Sequence, residues 1–502
     1  MPKWSLPGQA LVASRPDLSA PRSLSAWSKI PWLLSLPCLG LGIASTVYGD
    51  WVGDNLSRLI IVPAALFCMI LFVANKAGLF LALLLIRAPL DPVLESIRLG
   101  PMSAGAVLNV FMLLIASFLL VESSGGDARK PLLSPMPMPM WLPMWLPIIL
   151  ALLVAAARAP EPLQGARTFL AFLTNLAVFV VPFFLNERHK NLRFAIQLTL
   201  LSSLIPAIYA FVDLAQGGYV SLEGLRISST FSHPNIFAFY LTFVILLGFY
   251  LLKSQLIKLS PLQRCLLAGY LCVLLFELAL TKTRSAWAAC LSSFVVYGVM
   301  FERRYLAYIG CAAVLAMLIP EINERLLDLN PARVYWNYGQ AQNSYEWRKV
   351  LWQSAFDWMR VSSLPVGYGL GSFPFHTTEF FPLAGRVQYG AHNVYVQLIF
   401  EAGLFGLLSF GWLFARLLVF IRQGMQSDRL GRTMLSGVVY AYLLVCYSDN
   451  MLDYLAFNWY FWFLLGTACA WITGQQATRP IHRGEASFRT VMPSQAGRGA
   501  AE

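Results

Sequence analysis

Four side chains, far apart in the chain, have the types needed to handle a phosphorylated leaving group and an acceptor hydroxyl. They are Arg226 in "GLRISSTFSHPNIFAFY", Arg284 in "LTKTRSAW", Arg348 in "SYEWRKVLWQSAFDWMR" and His392 in "YGAHNVYVQLIFEAGLFG". A guanidinium presents a planar fork of donors that matches phosphate oxygens, and it stays charged at any relevant pH. An imidazole, with an unperturbed pKa of about 6.5, can take a proton near neutrality. The set therefore asks for an acceptor hydroxyl near His392 and a diphosphate near the arginines, which is group-transfer chemistry. The sequence has no Asp-x-Asp pair and no outward cluster of carboxylates spaced for Mg²⁺ or Mn²⁺. The arginines are then expected to stabilise the leaving diphosphate without metal or cofactor.

Each residue also has a plainer use. Arg226 and Arg284 could snorkel to lipid head groups. His233 precedes Pro234 and Asn235 and reads as part of a helix cap. Asn393 could cap the helix after His392 by itself. Glu277 lies about two turns before Arg284 on the same face, which makes it a candidate ion-pair partner with no catalytic role. The glycines of "GYGLG" lack the strand-then-helix context of a dinucleotide site, so they predict a turn.

The elements that must position these groups are membrane helices. Hydrophobic residues make up 58% of the 502 residues and charged ones only 12%, with a mean hydropathy of +0.61, which excludes a soluble enzyme of ordinary composition. Apolar runs recur, centred on 31–49, 57–74, 76–87, 101–121, 139–157, 168–185, 193–214, 232–252, 264–282, 284–300, 304–320, 393–420, 432–448 and 454–474. They predict an all-α polytopic membrane protein with about 12–14 transmembrane helices.

The net charge of +12 sits in short connectors and forms no continuous basic face, so nucleic-acid binding is not indicated. "NERHKNLR", "KSQLIKLSPLQR", "ERR" and "IRQGMQSDRLGR" alternate with connectors such as "SDNMLD" that carry no Lys or Arg. The positive-inside rule makes the first group cytoplasmic and places the intervening loops outside. The expected organisation is a cytoplasmic tail (1–29), a helical body (30–320), a large periplasmic loop (321–391), C-terminal membrane helices (392–474) and a cytoplasmic tail (475–502). The first apolar run has no cleavage site close behind it and is expected to be retained. The cysteines all fall in apolar segments and form no disulfide framework or zinc spacing.

Within the loop, Trp347, Leu351, Phe356 and Trp358 recur near helical spacing, with Arg348, Lys349, Gln353, Asp357 and Arg360 mostly opposite. This predicts an amphipathic helix along the outer interface. Arg226, His233, Arg284, Arg348 and His392 then all belong to one side of the membrane. A transporter or lipid-linked sugar flippase would instead place ionisable groups near mid-membrane, where Asp213 and Glu277 are the candidates.

Taken in order, "RISSTFSHPNIFAFYL", "LTKTRSAW", "WRKVLW", "GYGLGSF" and "AHNVYVQLIFEAGLFGLL" resemble the successive signatures of the O-antigen ligase and O-antigen polymerase superfamily. The resemblance spans roughly residues 220 to 420. One departure is "SST", where many relatives have a glycine. The resemblance implies an inverting, metal-independent glycosyltransferase of the bacterial inner membrane, with its active site facing the periplasm. It would take a glycan from an undecaprenyl diphosphate carrier and pass it to an acceptor. That acceptor is the lipid A core in ligases and a second carrier-linked unit in O-antigen or exopolysaccharide polymerases. It also implies His392 as general base and Arg226, Arg284 and Arg348 as diphosphate ligands; on the reading of the residues themselves, His233, Asn393 and Glu277 are expected in support.

Overall fold

In hydrocarbon no water can satisfy a backbone amide, so an apolar segment that enters lipid folds as a helix. The computed structural model follows this rule. It describes residues 68–478 apart from 97, 100–101, 126–140, 186–190, 222–223 and 319–343. The chain divides after Ala74 into two units. Of the first, the helical residues 68–74 are described, and everything that follows concerns the second. The apolar run at 31–49, most of that at 57–74, the basic tails at 1–29 and 479–502, and residues 321–343 of the expected loop lie outside the described residues.

The helices are α1 (Lys76–Arg87), α2 (Asp91–Ser96), α3 (Ala104–Gly125), α4 (Leu142–Ala157), α5 (Pro162–Val180), α6 (Leu192–Ala215), α7 (Pro234–Lys253), α8 (Pro261–Leu280), α9 (Arg284–Met300) and α10 (Arg304–Met317). After the break in description come α11 (Ser344–Trp358), α12 (Ser372–Phe380), α13 (Val394–Gly424), α14 (Arg429–Cys446) and α15 (Leu455–Thr478). Each apolar run from 76–87 onward thus coincides with a helix. Among the described residues seven helices are long and apolar enough to cross a membrane: α3, α5 with its 3₁₀ extension, α6, α7, α8, α13 and α15. The chain is an all-α polytopic membrane protein. Two short antiparallel ribbons are added, β1–β2 (Arg98–Leu99 with Met102–Ser103) and β3–β4 (Tyr219–Ser221 with Gly224–Arg226), with 3₁₀ turns at Val361–Ser363 and Met451–Asp453.

Local sequence sets the helix ends. Proline opens α5, α7 and α8, where its missing N–H costs nothing. Ser260 and Gln263 form a reciprocal capping box at α8, and Asp428 accepts from Gly431 N at 2.7 Å at the start of α14.

Burial separates centre from periphery. The spanning windows of α7 and α15 are 89% buried, against 22% for α8 and 28% for α3, so the first pair forms the core and the second faces lipid. Lipid supplies no hydrophobic drive between helices, which leaves packing and interhelical hydrogen bonds to hold them together. Ser202 of α6 bonds the Leu85 carbonyl at 2.8 Å and the Tyr460 hydroxyl at 2.5 Å. Tyr460 in turn donates to the Leu84 carbonyl at 2.7 Å, tying α1, α6 and α15 together.

The basic connectors gather at one end of the bundle. Lys253 meets Glu302 at 2.8 Å, and Glu302 also takes Arg304 and the Tyr297 hydroxyl. Tyr250 donates to Asp428 at 3.0 Å, and Arg429 reaches the Met300 carbonyl at 3.4 Å. The His233, Arg284 and His392 termini belong to the opposite ends of the same helices. The charge alternation read along the chain therefore appears as two physically separate ends.

Helix α11 forms where the periodicity predicts it, but its apolar stripe is used by the protein. Leu351 and Ala355 are fully buried with Trp352 in a cluster that includes Phe373, Phe380 and Phe400. Phe356, expected on that stripe, is 41% exposed, so the buried face is rotated towards Trp352.

Helix α13 is interrupted at Gly403, whose φ is 68°. The broken backbone is stitched by the preceding loop. Leu404 N and Phe405 N donate to the Leu364 and Pro365 carbonyls at 2.8 and 3.1 Å, while Tyr368 N and Gly369 N donate to Phe400 and Glu401 carbonyls, each at 2.9 Å. A Cβ at Gly403 would overlap the Pro365 carbonyl, and one at Gly367 the Glu401 carbonyl. The "GYGLG" glycines thus serve close backbone packing, as the turn reading expects.

Candidate active site

The ends of α7, α13 and α14 meet at one buried carboxylate, Asp449, which is 1% exposed. Its Oδ2 accepts from Asn235 Nδ2 at 2.6 Å. Its Oδ1 accepts from the Tyr454 hydroxyl at 2.5 Å and from Asn450 N at 2.9 Å, and faces His392 Nδ1 at 3.7 Å. Burial alone would raise the Asp449 carboxyl. The facing imidazole, the Tyr454 hydroxyl and the Arg348 charge outweigh it and hold the group at about 2. The site therefore keeps a fixed negative charge behind the histidine at any physiological pH.

His392 is held in an unusual way. Its φ is 49°, in the left-handed region that non-glycine residues seldom occupy. Both neighbours fix it there. Trp352 donates to the Ala391 carbonyl at 2.7 Å, and the Asn393 side chain accepts from Tyr395 N and Val396 N as the cap of α13. The cap is thus supplied by Asn393, and the His392 ring is left for other work. It packs edge-on to Trp347 at 6.1 Å, with its side chain 36% exposed. A strained conformation held by its surroundings is the kind found at functional positions.

The predicted residues divide as follows. Arg226 is 6% exposed; its Nε donates to the Thr281 carbonyl at 2.7 Å, and a terminal nitrogen reaches Asn235 Oδ1 at 2.6 Å and Thr283 Oγ1 at 2.9 Å. Asn235 therefore links Arg226 to Asp449, and through it to His392. Arg348 donates to the Ser448 carbonyl at 2.8 Å, one residue before Asp449. Arg284 is the first residue of α9, directly after the Thr283 that Arg226 bonds.

His233 caps α7, its Nδ1 accepting from Asn235 N at 3.1 Å, as the cap reading expects. Glu277 is not joined to Arg284. It is 1% exposed, and neither carboxylate oxygen has a hydrogen-bond partner. It lies in α8 below the Thr281–Thr283 turn, so the expected pairing along one helical face is interrupted where that turn ends the helix. Asp213 is taken up by the β4–α7 segment, accepting from Ser228 N at 2.7 Å and Ser229 N at 2.8 Å.

Sequence reasoning missed Asp449, Asn235 as a bridge, and Tyr454. "SDNMLD" entered only as a connector without basic charge. A carboxylate in so short a turn between apolar helices was the available signal. Asp453, four residues on, is ringed by protein yet open to a cavity. Burial and the Asp449 charge raise its carboxyl to about 6, with His392 opposing them.

What such an array can do follows from its geometry. A carboxylate facing Nδ1 favours the tautomer with its proton there, which leaves Nε2 as the basic nitrogen. Arginines around it supply fixed positive charge. Residues 268–411 match the O-antigen ligase family. The matched segment carries Glu277, Arg284, Arg348, His392 and Asn393, while Arg226, Asn235 and Asp449 reach the site from outside it. The resemblance to the O-antigen ligase and polymerase superfamily is thereby supported, and with it a ligase- or polymerase-type function in a multi-pass bacterial membrane protein. A search of curated proteins returned no match.

Proposed function

We propose that the chain is an inverting, metal-independent glycosyltransferase that moves a glycan from undecaprenyl diphosphate to the lipid A core at the periplasmic face of the inner membrane. His392 Nε2 takes the proton of the acceptor hydroxyl as that oxygen attacks the anomeric carbon. The bond from that carbon to the diphosphate oxygen breaks on the opposite face, and undecaprenyl diphosphate departs with the electron pair. Asp449 holds the ring and balances the imidazolium that forms. Arg284 and Arg348 grip the diphosphate, and Arg226 contributes its charge from behind while fixing Asn235.

The observation that carries this reading is the continuous path from Arg226 through Asn235 and Asp449 to His392, with Arg348 anchored one residue away. The basic connectors gathered at the other end support a periplasmic site. The same grip and base serve a polymerase that joins carrier-linked units, which is the alternative within the family. A transporter would need an ionisable path across the bundle. Asp213 is spent on a turn, so among the described residues that reading is left with Glu277, Glu401 and the Arg87–Asp91 pair, which form no connected path.

Deletion of the gene followed by gel analysis of envelope glycans separates these readings. Polymer retained on its carrier, with the core left bare, marks a ligase. Core capped by a single repeat unit marks a polymerase, and unchanged glycan with a transport defect defeats both.

A further inference from the structure

Beside the network lies a cavity of about 290 Å³, bounded by the ends of α4, α5 and α15 and by the first turns of α13. Its polar lining is Gln164, Thr168, Gln397, Glu401 and Asp453, with Phe172 and Leu398 among the apolar walls. No Lys or Arg lines it. Gln397 and Glu401 continue the helical face begun by Asn393, about 6 and 12 Å further along α13 at 1.5 Å per residue. The cavity therefore starts roughly one turn beneath His392.

Its polar lining offers both donors and acceptors, from the amides of Gln164 and Gln397, the Thr168 hydroxyl and the carboxyls of Glu401 and Asp453. Glu401 is 2% exposed and anchored by Phe373 N at 3.4 Å, and the buried Gln397 Oε1 has no hydrogen-bond partner. With no cation in its lining the cavity has nothing to hold a diphosphate, so the carrier head group belongs on the arginine side. A neutral ring bearing several hydroxyls can exchange hydrogen bonds with the amide and hydroxyl groups of the lining, and it has apolar faces for the walls. The volume is at the small end of the roughly 300–1,000 Å³ typical of small-molecule sites, suited to a sugar unit and not to a polymer.

We infer that this cavity seats the terminal sugar of the acceptor and presents its nucleophilic hydroxyl upward to His392. The inference rests on the proposed transfer reaction.

The test uses the full chain in lipid nanodiscs, with an undecaprenyl diphosphate-linked repeat unit as donor and rough lipopolysaccharide as acceptor. Thr168→Val, which keeps the side-chain shape, and Gln397→Leu, on a different helix, should each raise the acceptor KM about five- to tenfold, the effect of one lost hydrogen bond. Donor KM and the affinity for undecaprenyl diphosphate should not change. An unchanged acceptor KM in both variants, or a rise confined to donor KM, overturns the subsite alone. If chelation with EDTA raises the wild-type acceptor KM to the same extent, the cavity holds a cation and the inference fails. Wild-type protein that joins two carrier-linked units instead is assayed with the second unit as acceptor, under the same criteria. A wild type inert in both assays overturns the transfer reading and the subsite with it.

Discussion

His392 Nδ1 lies 3.7 Å from Asp449 Oδ1, while the other oxygen of that carboxylate is bonded to Asn235. One buried acid thus orients the proposed base and joins it to Arg226, so its charge should matter more than its shape. Asp449→Asn keeps the shape. It should lower transfer about 100-fold or more, in the range of general acid–base contributions, and cost about 1–3 kcal/mol of stability from a lost charged hydrogen bond. Turnover and thermal unfolding of the purified variant check both. Wild-type turnover would remove Asp449 from the mechanism.

The same pair sets a pH dependence. The Asp449 carboxyl is held at about 2, below its ordinary 3.8, so its stabilising contribution is complete above 3.8 and disappears as pH falls from there through 2. The melting difference between wild type and Asp449→Asn should stay constant from pH 5 to 8 and close only in strong acid. Asp453, raised to about 6, has the opposite sign: its ionisation opposes folding as pH rises from 3.8 through 6. Asp453→Asn should therefore melt higher than wild type at pH 7, with the gain vanishing near pH 4.

His392→Ala should abolish glycan transfer, a loss of at least about 100-fold, while protein abundance in the membrane is unchanged. Quantitative immunoblotting beside the glycan gel measures the two together. Near-normal transfer by this variant rejects His392 as the base.

The arginines should separate by role. Arg284→Lys and Arg348→Lys should weaken transfer about tenfold with little change in melting, because an ammonium lacks the bidentate fork. Arg226→Lys should instead lower the melting temperature, since the native side chain holds Thr281, Thr283 and Asn235 at once. Equal melting for all three would contradict this division.

Gly403→Ala should destabilise the protein by about 1–3 kcal/mol or more, because the residue is left-handed and a methyl group would meet the Pro365 carbonyl. Thermal unfolding in detergent reads this directly. A melting temperature equal to wild type would show that α13 can straighten there.

The membrane helices were legible because lipid imposes one solution on an apolar run, and two of their ends were legible from Pro234 and Asn393. The grouping of Arg226, Arg348 and His392 was legible as a shared side of the membrane. What could not be read was the carboxylate that joins them. Asp449 contacts residues more than 200 positions earlier, and no local pattern encodes such a meeting. The face of α11 was misjudged for a related reason: helical periodicity identifies an apolar stripe but not whether lipid or protein covers it, and Trp352 and Phe356 exchanged places accordingly. Glu277 and Arg284 looked paired because the spacing assumed one continuous helix across a turn.

Residues 364–370 are joined to α4 and α13 through main-chain atoms, with Leu370 N donating to the Ala155 carbonyl at 2.9 Å and the rest reaching across the Gly403 break. Bonds of this kind are indifferent to side-chain identity, whereas a Cβ at Gly367, Gly369 or Gly403 would meet the main chain of Glu401, Arg158 or Pro365. A signature that looks vague letter by letter can in this way specify one rigid joint, recorded almost entirely in where side chains are missing.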